Sequence, residues 1–187
     1  VSDHASVEAL AGAAQAALGG IDLVFANAGT ILNGPLVKST PEEFDWLMGV
    51  NLRGAYFLTQ AVAKGLIAAG KPGSLINISS QMGHVSGPER AVYSASKFAV
   101  EGFTKGMALE WGPLGIRVNT IAPGLFLTPM LMRLPPAAQE SLGRQVPFPP
   151  RLGRPDEYAK LVGQLFDNTM INGETIRLDG AIRMAPK

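Results

Sequence analysis

The 187-residue sequence contains no cysteine, so disulfide bridges, thiolate metal sites and cysteine nucleophiles are excluded for this chain. Charge is scarce as well: charged residues make up 17% of the chain, and the formal net charge is +1. Such a weak field argues against nucleic acid or an anionic membrane as a partner. No apolar run approaches the roughly 20 residues of a membrane-spanning helix, and the N-terminus has no signal-peptide pattern. We therefore expect a small-molecule substrate, no metal, and a cytoplasmic location by default.

Apolar residues are plentiful, at 47% of the chain, and their spacing alternates between helices and short buried strands. Continuous apolar strands separated by helices are typical of a parallel sheet that is covered on both faces. We predict one α/β domain over residues 1–187, with three layers. The predicted helices span residues 2–18, 41–69, 91–111 and 155–167, the predicted strands span 21–26, 74–78, 116–121 and 174–178, and residues 125–150 are predicted as a loop with one short helix.

The strongest single pattern is Tyr93-Ser-Ala-Ser-Lys97, which falls on a predicted helix. Positions four residues apart share one helix face, so both side chains should point into the same cleft. A phenol is a weak acid with a pKa of about 10, and a neighbouring ammonium lowers that pKa. A general acid or base works best when its pKa is near the operating pH, so the pair suits proton transfer between an alcohol and a ketone. Taken alone, however, this spacing is more often a chance pairing on a helix.

Small or polar motifs follow three of the predicted strands, namely Asn27-Ala-Gly29, Ser79-Ser80 and Pro123-Gly124. Ligand sites in open α/β sheets form at the carboxyl ends of the strands. A serine hydroxyl there can bond a substrate oxygen, although both serines also fit an ordinary turn. We therefore predict that this edge of the sheet is a binding face.

Together these motifs resemble the classical short-chain dehydrogenase/reductase family, in an order and spacing that match from Val1 to the C-terminus. The resemblance implies a Rossmann-type doubly wound parallel sheet and a catalytic tetrad of Asn51, Ser80, Tyr93 and Lys97. Tyr93 would move the proton, Ser80 would orient the substrate oxygen, Lys97 would lower the tyrosine pKa, and Asn51 would hold a water. By itself, Asn51 also fits a solvated helix position. The motifs that carry the resemblance are Asn27-Ala-Gly29, Asn51, Ser80, Tyr93, Lys97 and Pro123-Gly-Leu-Phe-Leu-Thr128.

The same resemblance implies a nicotinamide cofactor, NAD, with NADP not excluded. It places Lys97 on the nicotinamide ribose, the strand-end turn at residues 27–29 near the adenosine, and Val1 against the adenine. The segment after the third strand would hold the carboxamide and a phosphate. The implied cofactor-binding residues are Val1, Asn27, Ala28, Gly29, Tyr93, Lys97, Pro123, Gly124, Phe126 and Thr128.

The C-terminal third resembles the type 10 hydroxysteroid dehydrogenases, also called type 2 3-hydroxyacyl-CoA dehydrogenases, most clearly over Asn172–Met184. That resemblance implies a 3-hydroxyacyl-CoA substrate, whereas the middle of the chain is closer to sugar-alcohol and oxoacyl reductases. An apolar run after the third strand fits equally well a lid over a greasy substrate or a small core under the loop. His84, between Ser80 and Tyr93, fits a substrate contact or, more commonly, a surface loop residue.

The glycine-rich phosphate loop of the family is absent from the sequence, together with the residue that selects NAD or NADP. At about 30 residues per strand–helix unit, roughly 60 residues would precede Val1 in the family. We expect a piece of a longer protein, and we keep as the alternative a non-catalytic scaffold or oligomerisation subunit. A preceding segment would also carry any targeting signal, which leaves an organelle open. By resemblance, the complete protein is expected to be a homotetramer.

Overall fold

The computed structural model describes residues 1–182, so Arg183 and Met184 of the C-terminal motif lie outside the described residues. Within residues 1–182, no helix is long and apolar enough to cross a membrane. The helices are α1 (His4–Leu18), α2 (Pro41–Met48), α3 (Ala55–Ala69), α4 (Ala91–Trp111), α5 (Pro136–Arg144) and α6 (Pro155–Asp167), and the strands are β1 (Leu23–Ala26), β2 (Gly73–Ile78), β3 (Ile116–Pro123) and β4 (Thr175–Leu178).

The four strands form one parallel sheet in the order β1-β2-β3-β4. The register pairs Phe25 with Ile76, and Ile76 with Asn119, so the strands end at nearly the same level. The parallel sheet that the apolar strands predicted is confirmed.

Two hydrophobic clusters cover the two faces of the sheet. One contains Leu75 and Val118 and packs against α1, α3 and α4. The other contains Ile76, Ile121 and Leu165, and brings α6 onto the opposite face. Successive strand residues point to opposite faces, so Leu75 and Ile76 necessarily enter different layers. The three-layer arrangement is therefore confirmed.

The predicted helix over residues 41–69 begins as expected but is not continuous. Thr40 and Glu43 form a capping box, in which each side chain accepts a hydrogen bond from the other residue's backbone N–H, and Pro41 occupies the first turn. A π-helical segment, Gly49–Gly54, then separates α2 from α3. The expectation of one regular helix is wrong at this point, since the i→i+5 hydrogen bonds of a π-helix enclose one more residue than those of an α-helix and widen the backbone around Asn51.

A single arginine closes the C-terminal end of α6. The Arg117 guanidinium, on β3, donates hydrogen bonds at 2.7–3.1 Å to the carbonyl oxygens of Leu165, Phe166, Asn168 and Ile171. The last carbonyls of a helix have no partner within the helix, so a planar cation with several N–H groups satisfies them well. This contact fixes α6 to the sheet.

We predict that Arg117→Met destabilises the fold by roughly 2–3 kcal/mol, because several carbonyls lose charged donors at once. The measurement is the free energy of unfolding in urea. Arg133→Met, at an exposed position of a short 3-10 turn, is the control and should change stability by less than about 0.5 kcal/mol. Equal stability of the two variants would contradict this role for Arg117.

Candidate active site

The motifs predicted to follow three strands lie at one edge of the sheet. Asn27–Gly29 follows β1, Ser79 and Ser80 follow β2, and Gly124 follows β3. All four strands are parallel, so these turns are brought side by side. The turn at residues 27–29 is exposed, as a ligand-binding turn requires.

Helix α4 delivers Tyr93 and Lys97 to this edge from one of its faces. The Lys97 side chain is only 4% exposed, and its Nζ donates a hydrogen bond to the carbonyl oxygen of Ile78 at 2.9 Å. The same Nζ lies 5.7 Å from the centroid of the Tyr93 ring, within the range of a cation–π contact. The helical spacing therefore does bring the two side chains together.

Ser80, rather than Ser79, faces the tyrosine. A hydrogen-bonding interaction with Ser80 partly lowers the pKa of Tyr93, and the Ser80 hydroxyl also accepts a bond from the Met82 N–H at 3.1 Å. The Ser79 hydroxyl points instead to the Glu101 carboxylate, at 2.6 Å. The choice between the two serines, which rested on resemblance, thus has a geometric basis.

The pKa values of the pair do not follow the expectation for Tyr93. Burial raises the pKa of the Tyr93 phenol above its usual value, and this outweighs the opposing effects of Ser80 and of the Arg90 charge. Burial also lowers the pKa of Lys97 to about 8. The net direction for the phenol is thus a rise rather than the expected lowering, because removal of water disfavours the charged form of both groups; the separate effect of Lys97 on the tyrosine pKa stays a prediction.

Asn51 is 1% exposed, which excludes the solvated helix position. Its Oδ1 accepts a hydrogen bond from the Thr30 N–H at 2.7 Å, and its Nδ2 donates to the Thr30 carbonyl at 2.9 Å. Nδ2 also lies 3.2 Å from the hydroxyl of Ser96, on α4. The π-helical segment thus aims Asn51 between the turn after β1 and the helix that carries Tyr93. Thr30 and Ser96 had no signal in the sequence.

Gly29 marks the point where these elements converge. A Cβ placed on Gly29 would lie 3.7 Å from both Asn51 Oδ1 and Lys97 Nζ. The turn backbone therefore passes directly beside the two polar groups, and Asn51, Lys97 and the turn line one small space.

The segment after β3 is held by packing that the sequence did not reveal. A Cβ on Gly124 would lie 2.7 Å from the Cβ of Asp179, so this glycine is required by the close approach of the loop after β4. Phe126 packs edge-on against Tyr158, with ring centroids 5.6 Å apart. The Thr128 hydroxyl accepts a weak bond from the Leu131 N–H. Pro123 ends β3, and these contacts fix the course of the segment beyond it.

Val1 lies against the π-helical segment, since a Cβ on Gly54 would fall 2.9 Å from the Val1 carbonyl oxygen. The side chain is 44% exposed. Its position against an adenine stays a prediction.

The residues at this edge fit a nicotinamide cofactor. The Ile78 carbonyl takes one of the three protons that an ammonium can donate, which leaves donors for ribose hydroxyls. The exposed turn at residues 27–29 presents backbone to an adjacent ligand. No cluster of three His, Asp or Glu side chains able to hold a metal lies within residues 1–182.

The apolar run after β3 is only partly packed: Leu125, Phe126 and Leu131 are half-buried, and the remaining members are exposed. Leu127, Met130, Met132 and Leu134 are 38–59% exposed. Short helical turns, a 3-10 turn over Leu131–Arg133 and helix α5, carry this run along the surface. Exposed apolar side chains beside a candidate site are what a substrate-covering segment presents.

Glu101 was missed by the sequence reasoning. It lies one helical turn beyond Lys97 and two beyond Tyr93, so it shares their face of α4. The spacing of Tyr93, Lys97 and Glu101, four residues each, was a usable signal. His84 belongs with it, because its Nδ1 lies 3.0 Å from a Glu101 carboxylate oxygen.

Comparison with known proteins agrees with this geometry. The chain matches the protein family described as Enoyl-(Acyl carrier protein) reductase over residues 1–182. It is 46% identical over 153 residues to 3-hydroxyacyl-CoA dehydrogenase type-2 of Rattus norvegicus, which covers 79% of this chain and 58% of that protein. It is 36% identical over 166 residues to 3-oxoacyl-acyl-carrier-protein reductase FabG of Thermotoga maritima, which covers 88% of this chain and 67% of that protein.

Among solved structures, the chain is similar to a gluconate 5-dehydrogenase from Burkholderia cenocepacia J2315, crystallised in complex with NADP and tartrate. The TM-score is 0.89 at 36% identity, over 98% of this chain and 73% of the other. The chain spans less than two thirds of the rat relative's length. The fold, the strand-edge site and the sequence similarity agree: the chain belongs to the short-chain dehydrogenase/reductase family.

Proposed function

We propose that the complete protein is an NAD(P)-dependent oxidoreductase that interconverts a secondary alcohol and a ketone. The observation that carries the proposal is the convergence of Ser80, Tyr93 and Lys97 at the carboxyl edge of a parallel sheet, with Lys97 buried and donating to the Ile78 carbonyl. Burial of an ammonium costs free energy, and within residues 1–182 only one of its hydrogen bonds is to a backbone carbonyl, an arrangement that a scaffold has no need of.

The chain's own residues would divide the work of proton transfer and orientation. Ser80 holds the substrate oxygen next to the phenol of Tyr93. Tyr93 gives its proton to that oxygen during ketone reduction and takes it back during alcohol oxidation. Lys97 would hold the cofactor ribose, and Asn51 supports the turn at Thr30. The cofactor, when bound, supplies the exchange of hydride with the substrate carbon.

The raised pKa of Tyr93 has a consequence for this chemistry. A phenol whose proton is held more tightly is a better proton reservoir for ketone reduction than a ready base for alcohol oxidation. We therefore expect ketone reduction to proceed at neutral pH, where the phenol carries the proton that it donates. Alcohol oxidation needs the deprotonated phenol, so we expect it to be faster at alkaline pH.

For the substrate we propose a 3-hydroxyacyl-CoA and its 3-oxo partner. Two relatives named for acyl substrates support this choice, and so does the exposed apolar run that includes Met130 and Met132. The solved relative is named for gluconate, so a sugar-type ketone is the alternative, and a steroid is a third. We propose NAD as the cofactor, with NADP as the alternative.

We also propose that the complete protein self-associates, as a homotetramer. Large aromatic side chains on α2 and α4 are exposed, with Phe44, Trp46 and Phe98 at 44–50%. Exposed aromatic side chains favour burial against another copy. The mass of the native protein in solution measures this directly.

The substrate class can be tested by oxidation of NADH and NADPH at 340 nm, with acetoacetyl-CoA and with 5-ketogluconate as oxidants. We expect turnover with acetoacetyl-CoA and NADH. Turnover confined to the sugar ketone would replace the acyl proposal. Binding of neither nicotinamide would instead support the scaffold alternative.

We predict that Tyr93→Phe in the complete protein lowers kcat by about 10² to 10⁴-fold, because the proton donor is lost. The affinity for the cofactor, measured by NADH fluorescence, should be retained. Tyr56→Phe is the control, since its ring contacts with Phe57 and Phe103 survive the change. Turnover near the wild-type rate in Tyr93→Phe would refute the mechanism.

We predict that Lys97 makes the free energy of unfolding depend on pH in the alkaline range. Its pKa falls from 10.5 to about 8 on folding, so between these values the unfolded chain holds a proton that the folded chain lacks. Stability from this group therefore rises with pH from about 8 to 10.5, by about 3 kcal/mol, and is flat below 8. The measurement compares urea unfolding of wild type and Lys97→Met on both sides of pH 8. Parallel pH profiles of the two proteins would contradict the assignment.

A further inference from the structure

A buried polar network joins the loop that carries Ser80 to helix α4. The Ser79 hydroxyl donates to Glu101 Oε1 at 2.6 Å, and His84 Nδ1 lies 3.0 Å from Glu101 Oε2. Ser79 is 2% exposed and Glu101 is 9% exposed. Each oxygen of one carboxylate therefore holds one end of the segment from Ser79 to His84.

The loop between the two contacts is a single tight turn. The Gly83 N–H bonds the Ser80 carbonyl at 2.8 Å, and the His84 N–H bonds the Gln81 carbonyl at 3.1 Å. Ser80 lies inside this turn, directly after Ser79. Because the turn is short, a shift of Ser79 or His84 would be passed to the Ser80 hydroxyl.

Gly83 provides an independent sign that the network is closely fitted. A Cβ at this position would lie 2.2 Å from both Glu101 Oε1 and Ser79 Oγ. Gly83 does not have a positive φ, so the backbone conformation does not demand glycine. The space is taken by the hydrogen bond between Ser79 and Glu101.

Burial disfavours the charged form of the Glu101 side chain. Burial raises the pKa of Glu101, while the Ser79 hydroxyl, the His84 ring and the Lys105 ammonium oppose that rise. These three groups act on the carboxylate from the loop after β2 and from α4 itself. Glu101 lies one turn beyond Lys97 on the same helix, and the proton transfer proposed above gives it no part.

We propose that Glu101 is a positioning residue, which fixes the Ser80 loop against the helix that carries Tyr93 and Lys97, with His84 as its second anchor. The inference rests on the proposed oxidoreductase function. Glu101 touches neither the substrate oxygen nor the phenol. It acts by setting the distance between the Ser80 hydroxyl and Tyr93.

The first test is a comparison of Glu101→Ala with Glu101→Gln in the complete protein. The glutamine oxygen still accepts the Ser79 hydrogen bond, whereas alanine removes both contacts. We expect kcat of Glu101→Ala to fall about tenfold to a hundredfold, since small misplacements of catalytic groups have effects of that size. KM and NADH affinity should stay within about twofold, and Glu101→Gln should recover most of kcat.

Two further variants complete the comparison. Glu110→Ala, at an exposed carboxylate of the same helix, is the matched control and should keep the wild-type kcat. His84→Ala removes only the outer anchor at a partly exposed side chain, so it should fold and lower kcat by a smaller factor. A wild-type kcat in Glu101→Ala would overturn the proposal. A loss of kcat and NADH affinity together, with no recovery in Glu101→Gln, would overturn it too.

The second test does not depend on turnover. Titration of the Tyr93 phenol is followed by ultraviolet absorbance, as the difference between each protein and its Tyr93→Phe counterpart. Glu101→Ala and Glu101→Gln remove the same charge, but only alanine releases the Ser80 loop. We expect the Tyr93 pKa to be higher in Glu101→Ala than in Glu101→Gln, because the interaction with Ser80 is weakened.

The two tests separate the inference from the function on which it rests. Equal Tyr93 titrations in the alanine and glutamine variants would overturn the positioning role of Glu101, whatever the enzyme activity. Absence of turnover in wild type and in Glu110→Ala would overturn the oxidoreductase proposal, while the Tyr93 titration would still decide the role of Glu101.

Discussion

The buried hydrogen bond from Lys97 to the Ile78 carbonyl is the contact on which the arrangement of the site depends. It ties helix α4 to the last residue of β2, so the helix that carries Tyr93 and the strand that leads to Ser80 cannot move independently. An ammonium removed from water must find acceptors, and the Ile78 carbonyl at the end of β2 meets that need. This contact sets where α4 lies relative to β2, and the hydrogen bond from Ser79 to Glu101 holds the loop that follows the strand.

Burial favours the neutral form of both Tyr93 and Lys97. It holds the Tyr93 phenol in its neutral form and pushes Lys97 towards the neutral amine. Lys97, with a pKa lowered to about 8, is thereby brought close to a change of protonation state near neutral pH, whereas the Tyr93 phenol keeps its proton there. The cost is borne by the packed layers around it, in which Leu75, Ile76 and Ile121 are fully buried.

The helix that supplies Asn51 shows how an irregularity can serve a site. A regular α-helix through residues 41–69 would have continued the pattern of the sequence. The π-helical segment instead widens the turn at Asn51, whose amide bridges the Thr30 backbone and the Ser96 hydroxyl. The segment between α2 and α3 thereby contacts both the turn after β1 and helix α4.

Much of the fold was accessible from the sequence, because its signals are local. The Thr40 capping box, the apolar strands and the four-residue spacing of Tyr93 and Lys97 depend on neighbouring residues, and all of them appear in the structure. The candidate site was likewise located through resemblance and strand ends. The start of the first strand, predicted at residue 21, lies instead at Leu23.

Only the tertiary structure decided which groups meet across long separations. The contacts of Asn51 with Thr30, of Arg117 with the end of α6, and of Glu101 with Ser79 join residues 21 to 54 positions apart. The direction of the Tyr93 pKa shift also came from the structure, because desolvation depends on what surrounds a side chain. The sequence by itself determined the elements and the chemical groups they carry, since propensity, capping and periodicity act within a few residues. Packing determined which of those groups are buried together, and so the direction in which their pKa values shift.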